Sequence, residues 1–275
     1  MGGLWFIKTS GMKDFKVLFL LILVMAGLTG CHDEEWDEDG GHGVGKAVVE
    51  GVVTSSYGAP VEGVKLSVDF FKGDMLASVL RHKGEAVTDE NGRYSITVNV
   101  RSDEQGSDGH YSLSADLAAL SPDRYAMPSD FVAVFTSDSP LPKPHELDAK
   151  MAYTLSGITP NESLTQNIYI PQKRMVQVTL KCFTVGEGNR FEVQNSFSYG
   201  MELPSGEGTA GGKYAKSTAD YFWLLDKHEQ TFNVPFAIGE ENTVRILRKV
   251  NGTYSWEDEK IKVTDSYPQS LTYEY

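Results

Sequence analysis

The tetrapeptide Leu28-Thr29-Gly30-Cys31 closes a short apolar run, Val17 to Ala26, that is preceded by Lys13 and Lys16. Basic start, short apolar stretch and small residues before a cysteine are the parts of an export signal ending in a lipobox. The chemistry expected there is cleavage before Cys31 and acylation of its thiol and its new amine. The apolar stretch is far shorter than the about 20 residues needed to cross a bilayer, so it is not read as a membrane span. The alternative is an ordinary signal peptide, or an apolar patch that happens to precede a cysteine. Met12-Lys13-Asp14-Phe15-Lys16 is itself a complete start, so residues 1–11 are expected to precede the true one.

Six acids fall within the seven residues from Asp33 to Asp39, broken only by Trp36. Such a run cannot bury itself, and residues 31–45 are expected to form a solvated tether. Asp37-Glu-Asp-Gly40 lacks the alternating ligands and the distal Glu of a calcium loop. Removing residues 1–30 takes away Lys8, Lys13, Lys16 and Asp14 and leaves 22 basic and 37 acidic side chains, a formal charge of −15. Nucleic acid and anionic headgroups are therefore poor partners, because both need clustered Lys and Arg. Cys182 is the other cysteine, in the apolar-rich stretch Val176 to Phe183; no disulfide can form within the mature chain, and a buried structural thiol is expected.

Further chemistry is sparse. Histidines at 32, 42, 82, 110, 145 and 228 adjoin no obvious nucleophile, so spacing nominates neither a hydrolytic triad nor a zinc site. No catalytic residue, metal ligand or cofactor is assigned. Asp103, Glu104 and Asp108 could hold Ca2+, but Asp108 stands where a calcium loop needs its turn glycine, and a solvated loop is the expectation. Aromatic residues at Tyr221-Phe-Trp223, Tyr254 and Trp256 could present flat faces to a sugar, or could simply fill a core.

The elements that must position these residues are read as strands. Ala47 to Val53, Val64 to Phe71, Tyr94 to Val100 and Met175 to Phe183 are short apolar or alternating runs, punctuated by Gly, Pro, Asn and Asp. Only Ser112 to Leu120, which also fits a strand plus a turn, and Ser217 to Lys227 hint at helix. Val64, Leu66 and Val68, then Tyr94, Ile96, Val98 and Val100, alternate as half-buried strands do. Asp89-Glu-Asn-Gly92 reads as a tight turn between them. Near the C-terminus Asn251-Gly252 predicts a two-residue hairpin turn, pairing Lys249 with Tyr254, Leu247 with Trp256 and Arg245 with Asp258. The fold class is all-β: two sandwich domains, residues 46–171 and 172–275, after a signal peptide (1–30) and the tether (31–45).

Val49-Glu-Gly-Val-Val53, Gly58-Ala-Pro-Val-Glu-Gly-Val64 and Ala86-Val-Thr-Asp-Glu-Asn-Gly-Arg-Tyr-Ser-Ile96 together resemble the carboxypeptidase regulatory-like domain, a transthyretin-like sandwich common in surface proteins of Bacteroidetes. The resemblance implies structural roles for Gly58, Pro60, Thr88, Asp89, Gly92 and Tyr94, and no activity. The acidic run after Cys31 resembles the signal that sends such lipoproteins to the outer face of the outer membrane. These resemblances imply a non-enzymatic outer-membrane lipoprotein, anchored in the membrane at Cys31, that binds a glycan or protein partner. A fimbrial subunit and a hydrolase with an unrecognised site are the alternatives. The C-terminal half resembles no particular family.

Overall fold

The computed structural model describes residues 42–73, 78–106, 109–127, 150–202, 214–216, 223–224, 227–264 and 270–275. Cys31, the acidic run and most of the Ser217 to Lys227 stretch lie outside the described residues. Seventeen strands are described: β1 (Gly43–Thr54), β2 (Lys65–Gly73), β3 (Ser78–Val87), β4 (Arg93–Arg101), β5 (Gly109–Asp116), β6 (Lys150–Leu155), β7 (Ser163–Thr165), β8 (Ile168–Tyr169) and β9 (Lys173–Lys181) in the first part of the chain. They continue with β10 (Arg190–Ser196), β11 (Tyr199–Glu202), β12 (Tyr214–Lys216), β13 (Trp223–Leu224), β14 (Gln230–Ala237), β15 (Glu241–Val250), β16 (Thr253–Lys262) and β17 (Ser270–Glu274). Among the described residues there is no α-helix, and so none long and apolar enough to cross a membrane. Ser112 to Leu120 is the end of β5 and a turn, closed by the Leu120 amide on the Leu117 carbonyl at 2.8 Å.

Two sandwiches result. In the first, the sheet β12-β11-β8-β1-β4, with β7 also on β1, faces the sheet β3-β2-β5-β6. The alternation read from the sequence is the one that packs: Val49 and Val53, Leu66, Val68 and Phe70, Tyr94, Ile96, Val98 and Val100, and Leu113 are all buried. In the second, β13-β10-β15-β16 faces β14-β9-β17 over Val176, Val178 and Leu180, Phe191 and Val193, Val234 and Phe236, and Val244 and Ile246. β1 is flanked on both edges, antiparallel by β4 and parallel by β7 and β8.

The residues that carry the family resemblance serve the first sandwich. Gly92 takes φ 71, and a Cβ there would run into the Val53 carbonyl. Asp89 Oδ1 accepts the amides of Asn91 and Arg93 at 2.9 and 2.8 Å, fixing the turn. The buried Thr88 hydroxyl donates to the Val61 carbonyl at 2.8 Å and accepts the Val64 amide at 2.9 Å. Tyr94 is buried, with its hydroxyl donating to the Gln166 carbonyl at 2.6 Å.

Strands pair across the residue-171 position: Tyr169 and Ile168 of β8 lie beside Gly200 and Met201 of β11. The Gln172 amide donates to Ser56 Oγ at 3.0 Å, while its carbonyl accepts the Ile238 amide at 2.9 Å. Arg174 donates to the Thr264 carbonyl at 3.1 Å.

Two expectations fail locally. Cys182 is exposed rather than buried. β9 ends at Lys181 and Cys182 takes φ 64, so the alternation skips a residue and Phe183 enters the core instead. The segment beginning at Ser102 is not a solvated loop: Ser102–Glu104 is a single 3-10 turn that buries Glu104.

Candidate functional site

The β15–β16 hairpin presents the candidate face whose register the sequence predicts. Asn251 and Gly252 have φ 49 and 89, the pair of positive values a type I′ turn requires. Their register pairs Lys249 with Tyr254, Leu247 with Trp256 and Arg245 with Asp258, as the turn predicts. The tip is pinned: the Asn251 amide donates to Asn189 Oδ1 and the Gly252 amide to the Gly188 carbonyl, each at 2.9 Å. Cross-strand partners share a face, so Lys249, Tyr254, Leu247, Trp256, Arg245 and Asp258 form one surface directed away from the core residues Val244 and Ile246.

On that surface Tyr254 is 49% and Trp256 63% exposed. Lys249 Nζ stands 4.9 Å from the centre of the Tyr254 ring, a cation–π arrangement. Arg245 donates through Nε and Nη2 to the two Asp258 oxygens at 2.7 and 2.8 Å. That fork holds the Asp258 carboxyl below its ordinary range. The opposite face of β16 carries Glu257, bonded to Arg248 at 2.8 Å, and Glu259, bonded to the Tyr273 hydroxyl at 2.8 Å.

The remaining candidates do not converge. Cys31, Asp108, His32, His145, Tyr221 and Phe222 lie outside the described residues, and Trp223 enters β13. His82 Nδ1 is 2.9 Å from Asp69 on the exposed face of the β2–β3 pair, and His228 Nδ1 lies 3.1 Å from the Phe183 carbonyl. Asp103 and Glu104 are engaged by cations of the protein. Arg81 contacts Asp103 at 2.7 Å and Glu104 at 3.2 Å, and Lys83 holds Glu104 at 2.8 Å. Glu104 also accepts the Tyr111 hydroxyl at 2.7 Å and the Arg101 amide at 3.0 Å. Burial pushes the Glu104 carboxyl up, but the hydrogen bonds from Lys83, Tyr111 and the Arg101 amide bring it below its ordinary value. This is a buried ion network in which the carboxylates already have their countercharges.

Two features have no signal in the sequence. Glu240, between β14 and β15, is shielded from water, which pushes its carboxyl up to about 7 against hydrogen bonds from Tyr169 and Ser198. A cleft of about 550 Å3 lies over β1 and β4, its lining including Glu50, Val87, Arg93, Ser95, Thr165 and Asn167. Both are assembled from residues far apart in the chain, which local pattern does not reveal.

No family model matches the chain, and no curated protein is similar to it. Among solved structures, the crystal structure of (S)-allantoin synthase is similar over 46% of this chain and 41% of that one, with 15% identity and a TM-score of 0.27. The Streptococcal ancillary pilin is similar over 84% of this chain and 62% of that one, with 11% identity and a TM-score of 0.27. The shaft pilin SpaA from Lactobacillus rhamnosus GG gives 84% and 97%, with 12% identity and a TM-score of 0.26. The chain thus spans less than two thirds of the length of the first two. Likenesses of this strength transfer neither partner nor activity.

Proposed function

We propose that this chain is a non-enzymatic lipoprotein of the cell envelope, lipidated at Cys31 and facing the exterior of the outer membrane, whose body binds a glycan or protein partner as an accessory module. The observation that carries the binding role is the outward Tyr254–Trp256 pair. Two aromatic rings left in water on a rigid hairpin are the usual anchors of a recognition surface. The export and anchoring part is supported by the lipobox and the acidic run from Asp33 to Asp39. The reading of the first sandwich as a carboxypeptidase regulatory-like domain is supported by Thr88, Asp89, Gly92 and Tyr94, which build its central turn and core.

The test uses intact cells. A covalent crosslinker applied to cells producing the wild type should trap the partner, protein or glycan, and the Trp256→Ala, Tyr254→Ala double variant should lose it. Protease added outside should digest the wild-type body. Resistance before lysis with digestion after it would overturn the outward orientation, and crosslinking indifferent to both aromatics would overturn the binding face.

A further inference from the structure

Granted the binding role proposed for it, on which this inference rests, the same face narrows the choice of ligand. We propose that the outer surface of the β15–β16 hairpin is a stacking platform for an uncharged glycan chain, with Tyr254 and Trp256 each lying under a sugar ring and the Arg245–Asp258 pair contacting hydroxyls.

Spacing is the first reason. Residues two apart on a strand point to one side at about 6.6 Å separation, and Tyr254 and Trp256 occupy such positions on β16. A linear sugar chain running along the strand meets the two rings in succession. β16 is the outermost strand of its sheet among the described residues, so the chain can extend past the platform at the side.

Charge is the second. The charges bordering the two rings already face partners: Arg245 grips Asp258 in a two-bond fork, and Lys249 sits over the Tyr254 ring. A polyanionic glycan would need basic groups not engaged in this way, and would approach a chain of formal charge −13. A neutral sugar needs neither. The fixed Asp258 oxygens can accept, and the Arg245 N–H groups can donate, to neighbouring hydroxyls.

The third reason is shape. A protein partner calls for an aromatic core ringed by further apolar surface and depleted of charge. Here the two rings are flanked by Lys249 at one end and by Arg245 and Asp258 at the other, and Leu247 between them is only partly exposed. The strip is narrow, and its polar groups lie beside the rings, as ring stacking with hydroxyl contacts requires. Preorganisation favours the same reading, because the pinned type I′ turn fixes the backbone that carries both aromatics before any ligand arrives.

Affinity electrophoresis of the detergent-solubilised mature protein tests this. The gels contain hydroxyethyl cellulose, glucomannan, dextran or soluble starch in one set, and heparin or polygalacturonate in the other. At least one neutral polysaccharide should retard the wild type. Trp256→Ala and Tyr254→Ala should each weaken retardation about tenfold, while Ser255→Ala, on the other face, leaves it unchanged; circular dichroism melts confirm that the variants fold. Retardation by the polyanions alone, or by none of the gels, or retardation that survives the double aromatic variant, overturns the proposal. If every gel fails but the crosslinking of a protein on cells still depends on Trp256, the glycan assignment falls and the accessory-binding role stands; if both fail, both fall.

Discussion

Tyr94 joins two kinds of stabilisation in one side chain: a ring in the core of the first sandwich and a hydroxyl donating to the Gln166 carbonyl, 72 residues away. Tyr94→Ala should lower stability by roughly 3 kcal/mol, as large aromatic truncations in cores do. Tyr94→Phe, which leaves the carbonyl unpaired and the packing intact, should cost about 1 kcal/mol. Urea midpoints of the two variants against the wild type check both. Glu240 gives a second residue-scale expectation, of opposite character. Its carboxyl titrates at about 7 in the folded chain against an ordinary 4.5, so folding takes up a proton between those values. The stability it contributes is therefore full below about 4.5 and is lost as pH rises through 7. Glu240→Gln should flatten the dependence of the urea midpoint on pH between 5 and 8, removing on the order of 2 kcal/mol of variation once partial exposure is allowed for. An equally steep profile in the variant would mean that other groups set it.

At the scale of elements, β16 is the edge strand of its sheet among the described residues, and its sequence disfavours a further partner. Glu257 and Glu259 share the face of the core residues Ile246 and Val244 opposite them yet stay exposed, and charge along that edge disfavours pairing with another strand. Glu257→Val with Glu259→Val should convert the protein to concentration-dependent oligomers in size-exclusion chromatography, whereas Ser255→Ala should not. The strands themselves are legible wherever one face is apolar and the other polar, as in β2 and β4, because period-two alternation directly encodes a half-buried sheet. The Asn251-Gly252 turn sets the register of β15 on β16 by backbone geometry alone. Where the sequence misleads, the causes are physical. Alternation from Val176 to Leu180 points on to residue 182, yet the strand stops one residue short and a left-handed backbone turns Cys182 outward. Ser102-Asp-Glu looks hydrophilic, but Arg81, Lys83 and Tyr111, brought in from neighbouring strands, make Glu104 a buried residue. The exposure of Trp256 is not legible because alternation along β16 sets Tyr254 and Trp256 against Ser255, Glu257 and Glu259 and so points the aromatics inward, and only the partner strand, with Val244 and Ile246 opposite the glutamates, shows which side faces the core.

For the whole molecule, the position of β1 bears on the choice between an anchored protein and a polymerising one. Pilin-type assembly by strand exchange leaves a groove where a first strand has been removed. Between Cys31 and Ala47 the one Lys or Arg at which a cut could fall is Lys46, which lies within β1 opposite Asn99 of β4. A cut there would leave Ala47 to Thr54 seated between β4 on one edge and β7 and β8 on the other. Under the proposed lipidation at Cys31, the mature protein is therefore expected to keep that lipid and to remain unpolymerised. Mass spectrometry of native membranes should find an acylated peptide beginning at Cys31. A Cys31→Ala chain should accumulate unprocessed or soluble, and heat-stable ladders of a non-lipidated chain would reverse the expectation.

The parallel pairings have a consequence in time rather than in space. β1 cannot complete its sheet until Ser163 to Thr165 arrive beside Val48 to Glu50, and β9 waits for Ser270 to Glu274 to settle beside Gln177 to Lys181. Closing loops of that length before any contact rewards them slows folding, placing such topologies in the range of roughly milliseconds to seconds. Under the proposed export and acylation at Cys31, the chain would gain from this delay, since it would stay extended while it is being moved. The same non-local strand order that makes the finished body one interlocked piece would thus keep it pliable during transit.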